Sequence, residues 1–463
     1  MTRLVCSAAL AFALLASAAA AAPPWSAPAD VSSSSLFVDA PDVLVAADGR
    51  TIATWRRTGP PPPRGDAPRG TRLAVRDPRA LEFGPERAAP KFVTPLVTYG
   101  RSRVLGLDLR RRSRGRVSLR ARFGRSDGTF GSPRTISTYM EAGGPPSLAE
   151  PDGNLVAWIA RTSKGRRIVR AAIRSRGRFG RPVTLRGRGR ANDVVAGRAL
   201  GVMFVAWERA GVVEARVKLS HRRSWTGVQR LGRAEPAATM FAVTGAGSRG
   251  YLAWLAQRQE SAFLRTVVLP ATRSRFRKAE PLTECVPGDE CVEGTIDHEP
   301  PADGHVLRLV PLGRDALLAW SDWNGNAGVW QVRAATTIGL GARFSSSFGI
   351  SHQDQSAVLG DVSVAGPAGP TIPPGSVMFV WSRLDAVGEL GDRVQARTLL
   401  LPSGEFGPVE EVSDLERARL PAVAVDTPSQ RWTAVWSQRI GPDQPGVPLD
   451  QITTFLRSAT RPG

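Results

Sequence analysis

The stretch Leu155 to Pro182, LVAWIARTSKGRRIVRAAIRSRGRFGRP, decides the fold. LVAW is a short apolar run ending in Trp158. A polar loop follows, then IVRAAI, a Gly-containing turn and RFGRP. The runs are short, β-branched or aromatic, and bounded by Gly, Pro and Asp, which favours strand over helix. The same order recurs along the chain. The second-strand tryptophans set the register: Trp55, Trp158, Trp207, Trp254, Trp320, Trp381 and Trp436. VLGLD, Val104 to Asp108, keeps the frame without a tryptophan, which makes eight units, most of them about fifty residues apart.

Repeats of this length built of short strands predict an all-β fold, a single β-propeller of four-stranded blades, with eight blades and seven as the alternative count. The third strand recurs as LAVR (Arg76), IVRA (Arg170), VEAR (Arg216), WQVR (Arg333) and VQAR (Arg397). The fourth recurs around Phe83, Phe130, Phe179 and Phe406, each followed by Gly. Asp48-Gly49 and Asp152-Gly153 mark hairpins between first and second strands. The innermost strand is the apolar stretch before such a turn, as in DVLVA (Asp42 to Ala46).

Residues 1–22 carry Arg3, an apolar run and small residues at its end, and read as a secretory signal peptide. Residues 23–463 read as one propeller domain. No other run approaches the ~20 apolar residues of a membrane span, so no integral membrane segment is expected. WSAPADVS (Trp25 to Ser32) resembles a fourth strand, while the last unit stops at DQITTFLR (Asp450 to Arg457) without one. The N-terminal segment is therefore expected to complete the last blade, pairing with the strand around Ile452 to Leu456. Closing the ring removes an open sheet edge. After the leader, two cysteines remain, Cys285 and Cys291. In an exported protein they are expected to form a disulfide.

The formal charge is +21. Residues 101–235 hold 31 Lys+Arg against 9 Asp+Glu, a net of +22, so the rest of the chain is near neutral. A basic rim on blades two to four suits a polyanion. Genome bias explains the choice of arginine over lysine but not the confinement of the charge. Nucleic acid is not expected as a partner, because the protein reads as exported and shows no nucleic-acid module.

Loops after the second strand vary in length and share a face with those before the first strand, so sites are expected there. Arg57, Arg161, Arg209, Arg258, Arg383 and Arg439 recur just after the second strand and would ring one mouth. They either hold an anion or pair with neighbouring carboxylates. Asp322, Asn324 and Asn326 alternate in SDWNGNAG, and His298, His305 and His352 lie on adjacent blades. Oxygen ligands suit Ca²⁺ and imidazole suits Zn²⁺. Asp322, Asn324, Asn326, His298, His305 and His352 are thus the candidate metal ligands. The twelfth position of a helix-loop-helix calcium site is Arg333, which excludes that motif. Trp323 stands outside the recurring tryptophans and is the candidate for stacking on a sugar.

The repeat texture over nearly all of residues 23–463 resembles the sialidase-like and related secreted bacterial propellers. The S-x-D-x-G-x-x-W box of sialidases is missing, because Asp48-Gly49 and Asp152-Gly153 are spaced differently from their tryptophans. The resemblance implies a Tyr/Glu pair, for which Tyr139 and Glu141 are the available residues. The expectation is a secreted monomer that binds an extracellular or cell-envelope ligand, an acidic polymer or a glycan. The alternatives are a sialidase-like glycan-cleaving hydrolase or lyase, and a structural envelope protein.

Overall fold

The computed structural model describes residues 24–32, 37–58, 70–141, 144–186, 191–234, 240–258, 261–271, 273–284, 292–293, 295–296, 307–324, 327–338, 343–365, 375–384, 392–401, 403–414, 417–440 and 453–462. Residues 1–22, Cys285, Cys291, His298, His305 and Asn326 lie outside the described residues.

The fold is an eight-bladed β-propeller of antiparallel four-stranded sheets. Blade one runs Phe37–Val45, Thr51–Thr58, Gly70–Arg76 and Arg87–Ala88. Blade two runs Val97–Thr98, Arg103–Arg111, Arg116–Arg125 and Arg134–Glu141. Blade three runs Ser147–Leu148, Leu155–Arg161, Arg167–Ser175 and Val183–Arg186. Blade four runs Ala191–Ala199, Val202–Arg209, Val212–Leu219 and Gln229–Arg233. Blade five runs Phe241–Ala246, Arg249–Arg258, Ser261–Leu269 and Glu280–Pro281. Blade six runs Arg308–Leu312, Asp315–Asn324, Val329–Ile338 and Phe348–Gly349. Blade seven runs Ser356–Ala365, Ser376–Leu384, Arg393–Leu400 and Phe406–Glu411. Blade eight joins Ala418–Asp426, Arg431–Ile440 and Thr453–Arg461 to the N-terminal Ala29–Asp30. Among the described residues no helix is long and apolar enough to cross a membrane.

Ring closure between the chain ends is as expected, displaced by a few residues. Ala29 faces Ser458 and Asp30 faces Arg457. The Ser26 N–H donates to Thr460 O at 2.7 Å and the Val31 N–H to Leu456 O at 2.8 Å. Pairing therefore runs from Leu456 to Thr460, further along the last strand than the repeat suggested.

The core is divided into clusters at the blade interfaces, one for each of the eight. Each recurring tryptophan is at most 5% exposed and packs against the preceding blade. Asp108 takes the tryptophan position of blade two. The cluster there is small, formed by Ile52, Phe92, Leu96 and Val104. Phe92 occupies the space a tryptophan would fill, and Gly106 makes room for it: a Cβ on Gly106 would lie 2.4 Å from the Phe92 ring. Asp108, 3% exposed, binds Arg120 at 2.5 Å and also Arg122.

The third-strand arginines do not share one position, as the sequence frame suggested. Arg170 and Arg333 face the tryptophans Trp158 and Trp320. Arg216 and Arg397 face residues two earlier, Val205 and Phe379, and Arg76 faces Thr51, four before Trp55. These last three tie each blade to its predecessor: Arg216 donates to Leu185 O at 2.9 Å, Arg397 to Ile350 O at 2.9 Å and Arg76 to the Thr433 hydroxyl at 2.5 Å. The Phe-Gly pairs sit ahead of the fourth strands of blades one to three, with Gly84, Gly131 and Gly180 each donating to a third-strand carbonyl at 2.9 Å.

Two outcomes follow. Deleting residues 24–32 opens blade eight and is expected to lower the melting temperature by about 5 °C or more and to promote aggregation through the exposed edge, as read by calorimetry and light scattering. Asp108→Ala leaves Arg120 and Arg122 without their shared carboxylate and is expected to cost about 3 kcal/mol in denaturant unfolding.

Candidate functional site

The recurring arginines after the second strands turn toward carboxylates in three blades. Arg57 binds Glu86 at 2.7 Å, Arg209 binds Glu214 at 3.2 Å and Arg383 binds Glu411 at 3.3 Å. Arg161 is exposed, and the Arg439 N–H donates to Arg417 O at 3.2 Å. The side chains of Arg258 and Trp323 lie outside the described part. Asp322 is buried, 3.9 Å from the Arg333 guanidinium. Asn324 caps its own hairpin, its side-chain oxygen accepting the Ala327 N–H at 3.3 Å. His352 is exposed; its neighbour Gln353 accepts Gln331 Nε2 at 2.9 Å, and Gln331 faces Asp322 across the hairpin. The His352 loop thus packs onto the Asp322 hairpin. Among the described residues no three His, Cys, Asp or Glu side chains are placed to hold a metal. Tyr139 is in the core, its ring 6.1 Å from that of Trp158.

The ring leaves a central channel of about 710 Å³, lined by the first strands of the blades. One mouth, on the face where second strands end, widens into a cavity of about 350 Å³. The first strands of blades one, seven and eight each carry an extra residue just before this level, at Ala40-Pro41, Gly360 and Leu420-Pro421. Ala40 and Leu420 are left-handed, with φ of 47° and 55°. Bulges of this kind re-aim the side chain that follows. In blades one and seven that residue is an aspartate. Asp42 faces Thr54 and Asp361 faces Val380, each the residue before a core tryptophan. Arg308 holds the same position in blade six, facing Ala319.

Asp361 is the hub. Its Oδ1 accepts Arg308 Nε at 3.0 Å and its Oδ2 accepts the Val423 N–H at 3.1 Å, so it joins blades six, seven and eight. Asp42 accepts a hydrogen bond from the Val43 N–H, which does not offset its desolvation. Burial, with the Asp361 carboxylate adding and Arg308 opposing, pushes its carboxyl up to about 6. Glu150, wetted by the lumen but walled in by the ring, is raised by the same burial, against the pull of Arg308. Thr54, Thr71, Thr94 and Ser382 add hydroxyls to the cavity wall, and Phe92 and Leu96 an apolar patch. These charged residues escaped the sequence reading. The available signal was a lone charge inside an apolar run, Asp42 in DVLVA, Arg308 in VLRLV and Asp361 in VLGDV.

The same face carries the second-to-third-strand hairpins. In blade two Arg110, Arg111, Arg112, Arg114 and Arg116 are exposed, and in blade three Arg161, Lys164 and Arg166.

No protein-family model matches the chain, and no curated protein matches it in sequence. Solved propellers align with it distantly. The Dos1 propeller is 8% identical over 95% of this chain and 95% of its own, with a TM-score of 0.48. The β-propeller domain of the Trilobed protease from Pyrococcus furiosus is 10% identical over 74% of this chain and 90% of its own, at 0.40. The NanB sialidase from Streptococcus pneumoniae is 9% identical over 94% and 69%, at 0.36. At these values no site residue carries over.

The raised Asp42 has a consequence for stability. Its contribution is fully present below its ordinary value of 3.8, is lost as the pH rises toward about 6, and stays lost above. Asp42→Asn is therefore expected to leave the melting temperature nearly unchanged at pH 4 and to raise it by roughly 2 °C at pH 7.5, measured by calorimetry.

Proposed function

We propose that this is an exported binding propeller that holds a glycan unit at the channel mouth between blades one, six, seven and eight. The observation that carries this reading is the cavity of about 350 Å³ with Asp42 and Asp361 as acceptors, Arg308 as donor, and threonine and serine hydroxyls between them. Alternating donors and acceptors beside an apolar patch suit a polyhydroxylated ligand, and the size suits a small one. The leader-like residues 1–22 and the close pair Cys285 and Cys291 support export.

One observation favours a second reading, a glycan-cleaving hydrolase. Asp42 holds a proton to about pH 6, beside Asp361, whose two oxygens accept hydrogen bonds from Arg308 and from a backbone N–H. A carboxyl raised by burial next to a second carboxyl group is the pairing from which acid-assisted glycoside cleavage starts.

A panel of neutral and amino-sugar oligosaccharides, titrated calorimetrically, tests both. Binding by the wild type, weakened at least tenfold in Asp361→Ala, supports the channel site; equal affinity in that variant rejects it. New reducing ends that disappear in Asp42→Asn would establish the hydrolase, and an unchanged oligosaccharide would leave binding alone.

A further inference from the structure

A second surface stands apart from the channel. The fourth strand of blade two pairs with the second strand of blade three: Glu141 faces Ala160 and Met140 faces Arg161. Met140 also faces Arg116 on its other side. Arg116, Met140 and Arg161 are thus neighbours in one continuous row across two blades. At one strand spacing each, Arg116 and Arg161 lie about 10 Å apart at Cα. The join brings two hairpin tips together, and both tips are basic. Arg114 and Gly115, with φ of 58° and 66°, form one turn. Lys164 and Gly165, with φ of 73° at the glycine, form the other.

These arginines differ from those packed within the ring, such as Arg57, Arg120, Arg209, Arg216, Arg383 and Arg397, whose guanidinium groups close onto carboxylates or onto carbonyls of the preceding blade. Among the described residues, no carboxylate pairs with Arg110, Arg111, Arg114, Arg116, Arg161, Lys164 or Arg166, and all seven are exposed. Like charges crowded on adjacent hairpins repel one another, and a bound polyanion removes that repulsion. We propose that the blade-two and blade-three hairpins form a docking surface for a linear acidic polysaccharide, whose carboxylate or sulfate groups are gripped in turn by the arginine forks.

The chemistry of the tips favours a polysaccharide over other polyanions. Arginine presents paired donors that match a planar carboxylate or a sulfate, which a lysine cannot. Neither tip, Arg110 to Arg116 or Arg161 to Arg166, contains an aromatic residue on which a base would stack. Among the described residues the exposed large apolar side chains are Leu81, Val183, Leu200 and Leu400, none of them on these hairpins, so the two tips offer no apolar anchor for a lipid surface. The surface is independent of the channel mouth, and either reading stands without the other.

The region singled out by composition around Arg174 to Arg181 is the natural control. Arg174 is committed: its guanidinium lies 4.4 Å from the Tyr99 ring centroid and donates to Asp152 O at 2.5 Å. Arg176, Arg178 and Arg181 are exposed in the connection from third to fourth strand, on the opposite face.

The test compares three proteins on immobilised heparin, a sulfated probe, and in titration with polygalacturonate, a carboxylated one: wild type, the hairpin variant R110S/R111S/R114S/R116S, and the control R176S/R178S/R181S. The hairpin variant is expected to elute at clearly lower salt, with an affinity reduced at least tenfold and a shallower salt dependence, while the control changes less than threefold. Binding to only one probe would assign the anion, sulfate or carboxylate. Equal loss in hairpin variant and control, or wild-type binding to duplex DNA or phosphatidylglycerol vesicles as tight as to either probe, would overturn the proposal in favour of undirected charge. If the quadruple variant does not fold, R114E/R166E at the turn tips reads the same effect.

Discussion

A blade of this protein cannot bury its own faces, and the tryptophan of its second strand is how it borrows a neighbour. Trp207, Trp254, Trp381 and Trp436 are fully buried between one blade and the one before it. Burying so large a ring removes much apolar area from water, and an acceptor inside then satisfies the indole N–H in some blades. Trp207 donates to Glu214 and Trp381 to Gln395, each at 3.0 Å and each from the facing position of the third strand. The facing residue is an arginine in five other blades, at Arg72, Arg170, Arg265, Arg333 and Arg457. A guanidinium cannot accept, so Trp254 donates instead to Arg233 O at 2.7 Å and Trp436 to Gln438 Oε1 at 3.0 Å. Blade two tests the rule by exception: there Asp108 faces Arg120, and Phe92 enters from the preceding connection to restore the lost volume.

Stability placed between blades leaves the axis open. The channel level at which Asp42 and Asp361 sit is set by the bulges, and the bulges are held by tight blade contacts. Gly360 shows how tight: a Cβ there would fall 2.3 Å from Pro421 O in the next blade. Asp361 is fixed by partners from two neighbours, whereas Asp42 remains the less compensated charge. A scaffold held from outside in this way tolerates an unfavourable group at its centre, and such groups concentrate where a ligand is met.

Much of the architecture was legible because the repeat obliges each unit to solve the same packing problem. The tryptophan frame counted the blades, and the complementary defects at Trp25–Ser32 and at the last strand revealed the closure. The charged mouth was not legible for a definite reason. Bulges at Ala40-Pro41, Gly360 and Leu420-Pro421 add a residue to some first strands and not to others, so equal positions in space have unequal offsets from the tryptophan. Asp42 and Asp361 then look like scattered aspartates. The third-strand motifs likewise hid three registers, their arginines standing opposite the tryptophan, two before it or four before it. Arg57, Arg209 and Arg383 did recur as read, but a ring of recurring arginines has two chemical ends, and two of the partners, Glu86 and Glu411, lie far from their arginines in sequence.

Arginine composition has two sources in this chain, and the structure separates them. One set works inside the ring. Arg76, Arg216 and Arg397 reach back to the preceding blade, and Arg120 and Arg122 neutralise Asp108. A long stem with a planar, always-charged fork suits those places, because it spans the gap between sheets and satisfies several acceptors at once. Compositional pressure toward arginine is absorbed there at little cost, since each added cation finds an acceptor. Arg110, Arg111, Arg114, Arg116, Arg161 and Arg166 pair with no carboxylate among the described residues, and their mutual repulsion opposes the blade-to-blade strand pairing that holds them side by side. A surface charge that costs stability without an internal partner is not explained by the needs of the fold. The acidic ligand proposed for these hairpins would supply the compensating interaction, and it is the asymmetry of charge, rather than its amount, that motivates it.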